Sequence, residues 1–107
     1  MSEFLQVSTT TSTCADAERL ATILLESRLV ACAQIIGPVT SWYWWKGTLE
    51  TATEWQCLLK TSRLLYASVK TQILRHHSYE TPEIIAVPVV DGTREYLDWL
   101  REQLNPG

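Results

Sequence analysis

Positive charge is never clustered in this chain of 107 residues: all nine Lys and Arg stand alone, against twelve Asp and Glu, for a net charge of −3. Nucleic acid and anionic membrane surfaces are recognised through basic patches, so neither is an expected partner. Long apolar runs are also missing, and none approaches the roughly 20 residues that cross a bilayer. The opening Met1-Ser2-Glu3-Phe4-Leu5 has no basic stretch followed by an apolar one, the mark of a secretory signal. The expected compartment is therefore the cytoplasm. Cysteine is sparse and odd in number: Cys14, Cys32 and Cys57 lie far apart and no C-x-x-C occurs. That spacing argues against a disulfide framework, and Cys32 and Cys57 are expected as small buried hydrophobes.

Signatures of catalysis are lacking too. There is no H-E-x-x-H, no Gly-rich phosphate loop and no G-x-S-x-G. Cys32 sits in an apolar stretch with no neighbour in sequence able to act as its base. Neither an enzyme nor an organic cofactor is expected. What the chain has in plenty is tryptophan, with four of its five between Trp42 and Trp55. The length fits one domain, residues 1–107.

Phe4 to Thr10 is rich in β-formers and predicts a strand. Ser12, Thr13 and Asp16 mark a helix start, with Thr13-x-x-Asp16 as a capping pair. Ala17, Leu20, Ala21 and Leu24 keep the spacing of one helix face, which ends near Arg28. Leu29 to Ile36 and Val39 to Lys46 predict strand, interrupted by a bend or bulge at Gly37-Pro38. Gly47 is a turn, and Thr48 to Thr61 returns as a strand with Trp55, Cys57 and Leu59 on one face. The second and third strands thus form a long bent hairpin. Ser62 reads as the N-cap of a helix from Arg63 to about His76, and Ser78 to Pro82 as a loop. Glu83 to Val90 predicts a fourth strand, Asp91-Gly92 a turn, and Thr93 the cap of a last helix that aligns Tyr96, Leu97, Leu100 and Leu104. The fold class is α+β: the ferredoxin-like βαββαβ plan, an antiparallel sheet with helices on one face, plus an extra C-terminal helix. Pro88 lacks an N–H and so places the last strand at the sheet edge.

Such a sheet should alternate apolar and polar residues, and two segments do not. In the last strand Ile84, Ala86, Pro88 and Val90 point one way while Ile85, Val87 and Val89 point the other. Trp42, Tyr43, Trp44 and Trp45 likewise place large rings on both faces of the hairpin. Fully burying one such side chain contributes about 1.5–3 kcal/mol, and a single small domain has nothing to cover the second face. Self-association is the expected remedy.

His76 and His77, followed by Tyr79, Glu80 and Glu83, form the one cluster of candidate metal ligands. Imidazole and carboxylate suit divalent transition ions. Adjacent helical residues diverge by about 100°, so a helix end whose histidines offset the dipole is the competing reading. The Trp44-Trp45-Lys46-Gly47 tip offers either a stacking site for a ligand or an interface anchor.

These same residues carry a resemblance. Leu29-Val30-Ala31-Cys32-Ala33-Gln34-Ile35-Ile36 and Ser41-Trp42-Tyr43-Trp44-Trp45-Lys46-Gly47 closely resemble the CutA divalent-cation tolerance family. So do His76-His77-Ser78-Tyr79-Glu80-Thr81-Pro82-Glu83-Ile84-Ile85 and Val87-Pro88-Val89-Val90-Asp91-Gly92 with Tyr96-Leu97-x-Trp99. The match runs in register over nearly the whole chain. The resemblance implies a homotrimer in which hairpin strands pair between subunits, a role in the response to divalent metal ions, and copper binding in some members. His76 and His77 match the histidine pair linked to copper in bacterial members. The family's third ligand, a cysteine near the end of the first strand, is Thr9 here. Ser78 replaces a usual proline, and the usual Pro-Gly bend is inverted to Gly37-Pro38.

Three expectations follow. One is a trimer that handles copper or another divalent cation through His76 and His77. Another is a trimer that senses a small ligand, similar in plan to the PII signalling proteins, in clefts that involve Trp45, Lys46, Tyr79 and Glu83; together with Trp42 and Trp44 these are the ligand-cleft or trimer-interface candidates. The last is a structural trimer that anchors partner proteins.

Overall fold

Alternation along the first strand sets the inner face of the sheet. Leu5, Val7, Thr9 and Thr11 are buried, while Gln6, Ser8 and Thr10 between them are part-exposed, the period of two of a strand with one covered face. The computed structural model describes residues 2–106. In chain order these form β1 (Phe4–Thr11), α1 (Cys14–Glu26), β2 (Cys32–Trp45), β3 (Thr48–Ser62), α2 (Tyr66–His76), β4 (Ile85–Pro88) and α3 (Arg94–Gln103). The four strands make one antiparallel sheet in the order β2-β3-β1-β4. Pro88 lies on the edge strand, as its missing donor requires.

α1 buries Ala17, Leu20, Ala21 and Leu24. Ala21 and Leu24 pack with Val69 and Ile73 of α2 and with Val7, Cys57 and Leu59 of the sheet. α1 and α2 therefore share one face. The helix starts where expected, Thr13 Oγ1 accepting the Asp16 N–H at 3.0 Å. It ends without glycine: Arg28 takes the left-handed conformation (φ 59°), and the Leu29 N–H returns to the Leu24 carbonyl at 3.0 Å. α3 joins a different cluster, packing Leu100 and Leu104 on Phe4 and Leu65. Arg101 grips the Glu3 carboxylate through two 2.8 Å bonds, which ties α3 to the start of β1.

Four expectations need correction. β2 begins at Cys32 rather than Leu29, because residues 28–30 are spent reversing the chain after α1. α2 begins at Tyr66, not Arg63. Ser62 Oγ does accept a backbone N–H, but from Leu65 at 3.2 Å in a turn ahead of the helix. β4 is four residues rather than eight, since it pairs only with Leu5–Ser8 of β1. Tyr96 does not share the buried face of α3; it is exposed and stacks on Trp99 with ring centroids 5.7 Å apart. The cysteines also divide: Cys57 is fully buried, and burial pushes its thiol up to about 11, whereas Cys32 is part-exposed on β2.

The β2–β3 hairpin outgrows the domain. β1 pairs with Trp55–Ser62 of β3 and stops. Beyond that point Thr48–Glu54 pairs only with Val39–Trp45, as a two-stranded arm. Fourteen strand residues span about 46 Å at the usual rise, matching the 45 Å long axis of the molecule. At the base of the arm the register shifts between Ile36 and Val39, at the expected Gly37-Pro38 irregularity. Its tip is a two-residue turn in which Lys46 and Gly47 both have positive φ, 49° and 80°, the geometry that suits the twist of a hairpin.

Gly37 is required for a steric reason, since a Cβ there would collide with the Trp55 indole. Gly37→Ala is expected to destabilise the protein by about 1–3 kcal/mol through overpacking. Urea denaturation at fixed protein concentration checks this; an unchanged midpoint would show that the indole can move aside.

Candidate functional site

The arm has one buried residue, and it is a carboxylate. Glu54, at the arm's base opposite Val39, is 8% exposed. The segment after α2 reaches across to it: the Tyr79 hydroxyl donates to Glu54 Oε2 at 2.8 Å. Burial, then this carboxylate, pushes the Tyr79 phenol well above its ordinary range, so it stays a donor. Between the arm and residues 78–83 lies an open cleft of about 710 Å³. Its floor includes Thr10 and Gln56, cross-strand partners of β1 and β3. These alternate with the core-facing Thr9, Thr11 and Cys57, so the cleft opens on the sheet face away from α1 and α2.

His77 explains why the segment holds its position. Its Nε2 lies 2.7 Å from the Thr10 carbonyl oxygen. A carbonyl only accepts, so Nε2 carries the proton. Nδ1 then accepts the Tyr79 N–H at 3.0 Å. A neutral imidazole has one donor and one acceptor, and here both are engaged by backbone. The ring also lies 4.8 Å from that of Tyr79. His77 thus pins the start of the loop to the end of β1, and Tyr79 carries the connection on to the arm.

His76 is different: it lies in the last turn of α2, part-exposed, and its side chain makes no hydrogen bond or ion pair among the described residues. Thr9 is fully buried, and its Oγ1 has no hydrogen-bond partner among the described residues. Among the described residues no group of three His, Cys, Asp or Glu is placed to hold a metal ion. Of the cleft candidates, Trp42, Trp45, Tyr79 and Glu83 line the cavity; Trp44 and Lys46 do not. Lys46 stands beside the site, its Nζ 5.7 Å from the centre of the Trp45 ring.

Sequence reasoning missed Glu54, Gln56, Thr10 and Tyr43. Glu54 alternates with Trp55, Cys57 and Leu59 in the pattern of a solvated outer face, so no local signal marks it as buried. Only the contact from Tyr79, 25 residues on, does so. Tyr43 was legible as part of the aromatic run, but its side of the hairpin was not, because the bulge resets the phase.

The comparisons with known proteins agree with one another. Residues 5–103 match the family model of the CutA1 divalent ion tolerance protein. A divalent-cation tolerance protein CutA of Archaeoglobus fulgidus is 44% identical over 87 residues, covering 81% of this chain and 84% of the relative. A solved structure from the same organism, named the periplasmic divalent cation tolerance protein CutA, superposes with a TM-score of 0.92 at 38% identity, covering 95% of this chain and 99% of that one. The CutA1 structure from Oryza sativa gives 0.95 at 29% identity over 99% and 97%. No helix among the described residues is long and apolar enough to cross a membrane.

The Tyr79–Glu54 pair generates a pH-dependent expectation. Tyr79→Phe leaves a buried carboxylate without its donor and should cost about 1–3 kcal/mol near neutrality. A phenol whose folded-state pKa is raised contributes stability that is complete below its unfolded value, near 10, and lost as pH rises beyond it. The gap between wild type and Tyr79→Phe should therefore narrow above about pH 10. Denaturation at pH 8 and pH 10.5 reads the difference, and a constant gap would contradict it.

Proposed function

We propose, from the premise that the chain belongs to the CutA1 divalent ion tolerance family, that it serves divalent-cation tolerance as a cytoplasmic homotrimer of ferredoxin-like domains. The role is one of binding rather than catalysis. The observation that carries the reading is the bare arm. Trp42 and Trp44 are 69% and 73% exposed in the single chain, with Ile85, Val87 and Val90 also uncovered along β4. A two-stranded ribbon is marginal in water without a surface to lie on, and exposed apolar surface of this extent marks an association face. Pairing of the arm with neighbouring copies supplies that cover.

A second reading rests on the cleft, which lies beside the arm and whose walls the arm provides. A trimer that organises three such clefts is suited to sensing a small ligand, on a plan similar to the PII proteins. Nothing comparable supports a purely structural role of anchoring partner proteins.

Copper, the metal implied by the resemblance, does not fit this chain's histidine pair. His77 has both ring nitrogens engaged by backbone, and Thr9 offers a hydroxyl where soft metals favour a thiolate. Within one chain His76 alone is left to ligate. We therefore assign no step to a copper centre at His76 and His77.

Two measurements test these readings. Light scattering should give three chain masses down to micromolar concentration. Trp44→Glu, which places a charge on the association face, should give smaller species; a folded wild-type monomer would overturn the trimer. Isothermal titration of the metal-stripped protein with copper should show weak binding that His76→Ala reduces further and that never reaches the affinity of a closed site. Tight, stoichiometric binding lost in both His76→Ala and His77→Ala would restore the histidine pair as a metal site.

A further inference from the structure

We infer that the cleft between the hairpin arm and residues 78–83 binds a small organic cation, a molecule carrying an alkylammonium group; this deepens the ligand-sensing reading and rests on it. The first ground is Glu54. It is 92% buried, taking its 8% exposure, and it lines the cleft. Its Oε2 accepts from Tyr79, but its Oε1 accepts no hydrogen bond, and no cationic side chain pairs with it among the described residues. A largely buried carboxylate without a counter-charge favours a cation, and Glu54 is among the residues that line the cavity.

The second ground is the wall. Tyr43, Trp45 and Tyr79 all line the same space. Aromatic faces carry negative potential and attract ammonium groups, quaternary ones above all. Trp45 already draws a cation, since Lys46 Nζ stands 5.7 Å from its ring centre. The third ground is charge. Among the described residues no Lys, Arg or His lines the cleft, whereas Glu80 and Glu83 join Glu54 there. Phosphates and carboxylates are repelled by such a lining. A bare divalent ion is not favoured either, because the acidic groups do not converge as three ligands and the rings offer no donor atoms. The volume of about 710 Å³ suits a small organic molecule.

The test uses choline and its neutral isostere 3,3-dimethylbutan-1-ol with the purified full chain. Binding is followed by tryptophan fluorescence and isothermal titration, with mass measured in the same buffer. Choline should bind saturably and the isostere about tenfold or more weakly, the ratio that one cation–π and carboxylate site supplies. Glu54→Gln should lower choline affinity about tenfold with the mass unchanged. Should Glu54→Gln not fold, Trp45→Leu carries the test with the same expected loss. Equal binding of choline and its isostere, or a choline affinity unmoved by either substitution, overturns the proposal. So does a trimer silent to choline whose assembly weakens in Glu54→Gln, because a neighbouring copy then supplies the missing cation. Saturable choline binding by a protein with the mass of one chain supports the cleft and removes only the trimer.

Discussion

The length of the β2–β3 hairpin is the constraint on which the rest of the structure depends. Eight residues of β1 can cover only half of a fifteen-residue β3. The remainder is a two-stranded ribbon that carries Trp42, Trp44 and Trp45, all exposed. Everything distinctive follows from that mismatch. The molecule is elongated, large rings stand in solvent on both sides of the arm, and a cleft opens where the arm leaves the domain. Two short-range devices manage the departure point: the bulge at Gly37-Pro38, against which Trp55 packs, and the Glu54–Tyr79 bond, which ties the arm's base to the segment after α2.

Much of this was legible because local chemistry and long-range packing agree. Thr13 and Thr93 cap the helices whose starts they mark in sequence, since a side-chain oxygen three residues ahead of a free N–H needs no distant partner. Ala17, Leu20, Ala21 and Leu24 are buried as their spacing requires. The failure of alternation in Trp42–Trp45 and Ile84–Val90 correctly located apolar surface that the single chain leaves uncovered. What was not legible depends on partners far away in sequence. The length of β4 is set by how much of β1 remains unpaired on that side, which no property of Glu83–Val90 encodes. Tyr96 satisfies a helical face by spacing, yet Trp99 takes its ring. Glu54 carries the pattern of a solvated strand residue and is the only buried side chain of the arm.

The histidine pair shows the same limit in the site itself. Two adjacent histidines at a helix end read as a matched pair, but the helix stops between them. His76 remains in the last turn, whereas His77 has extended backbone (ψ 142°) as the C-cap and turns back to β1. Its ring then bonds the Thr10 carbonyl on one side and the Tyr79 N–H on the other. Sequence similarity preserves the residue type, not the state of its lone pair, and the lone pair is what a metal needs.

That arrangement also changes what a substitution at His77 measures. The imidazole holds Tyr79 through its main chain, and Tyr79 holds Glu54 through its side chain, so the three form one chain of contacts from β1 to the arm. Removing His77 releases the loop, withdraws the phenol from a buried carboxylate, and loosens the wall of the cleft. A ligand or metal effect of such a change therefore has two origins, the ring nitrogens or the position of Tyr79. His76 shares none of these contacts, so its substitution isolates the first origin. Tyr79→Phe keeps the ring and the backbone bond while deleting the hydroxyl, so it isolates the second. The two substitutions separate metal chemistry at the helix end from ligand chemistry in the cleft, which the histidine pair, altered together, would merge.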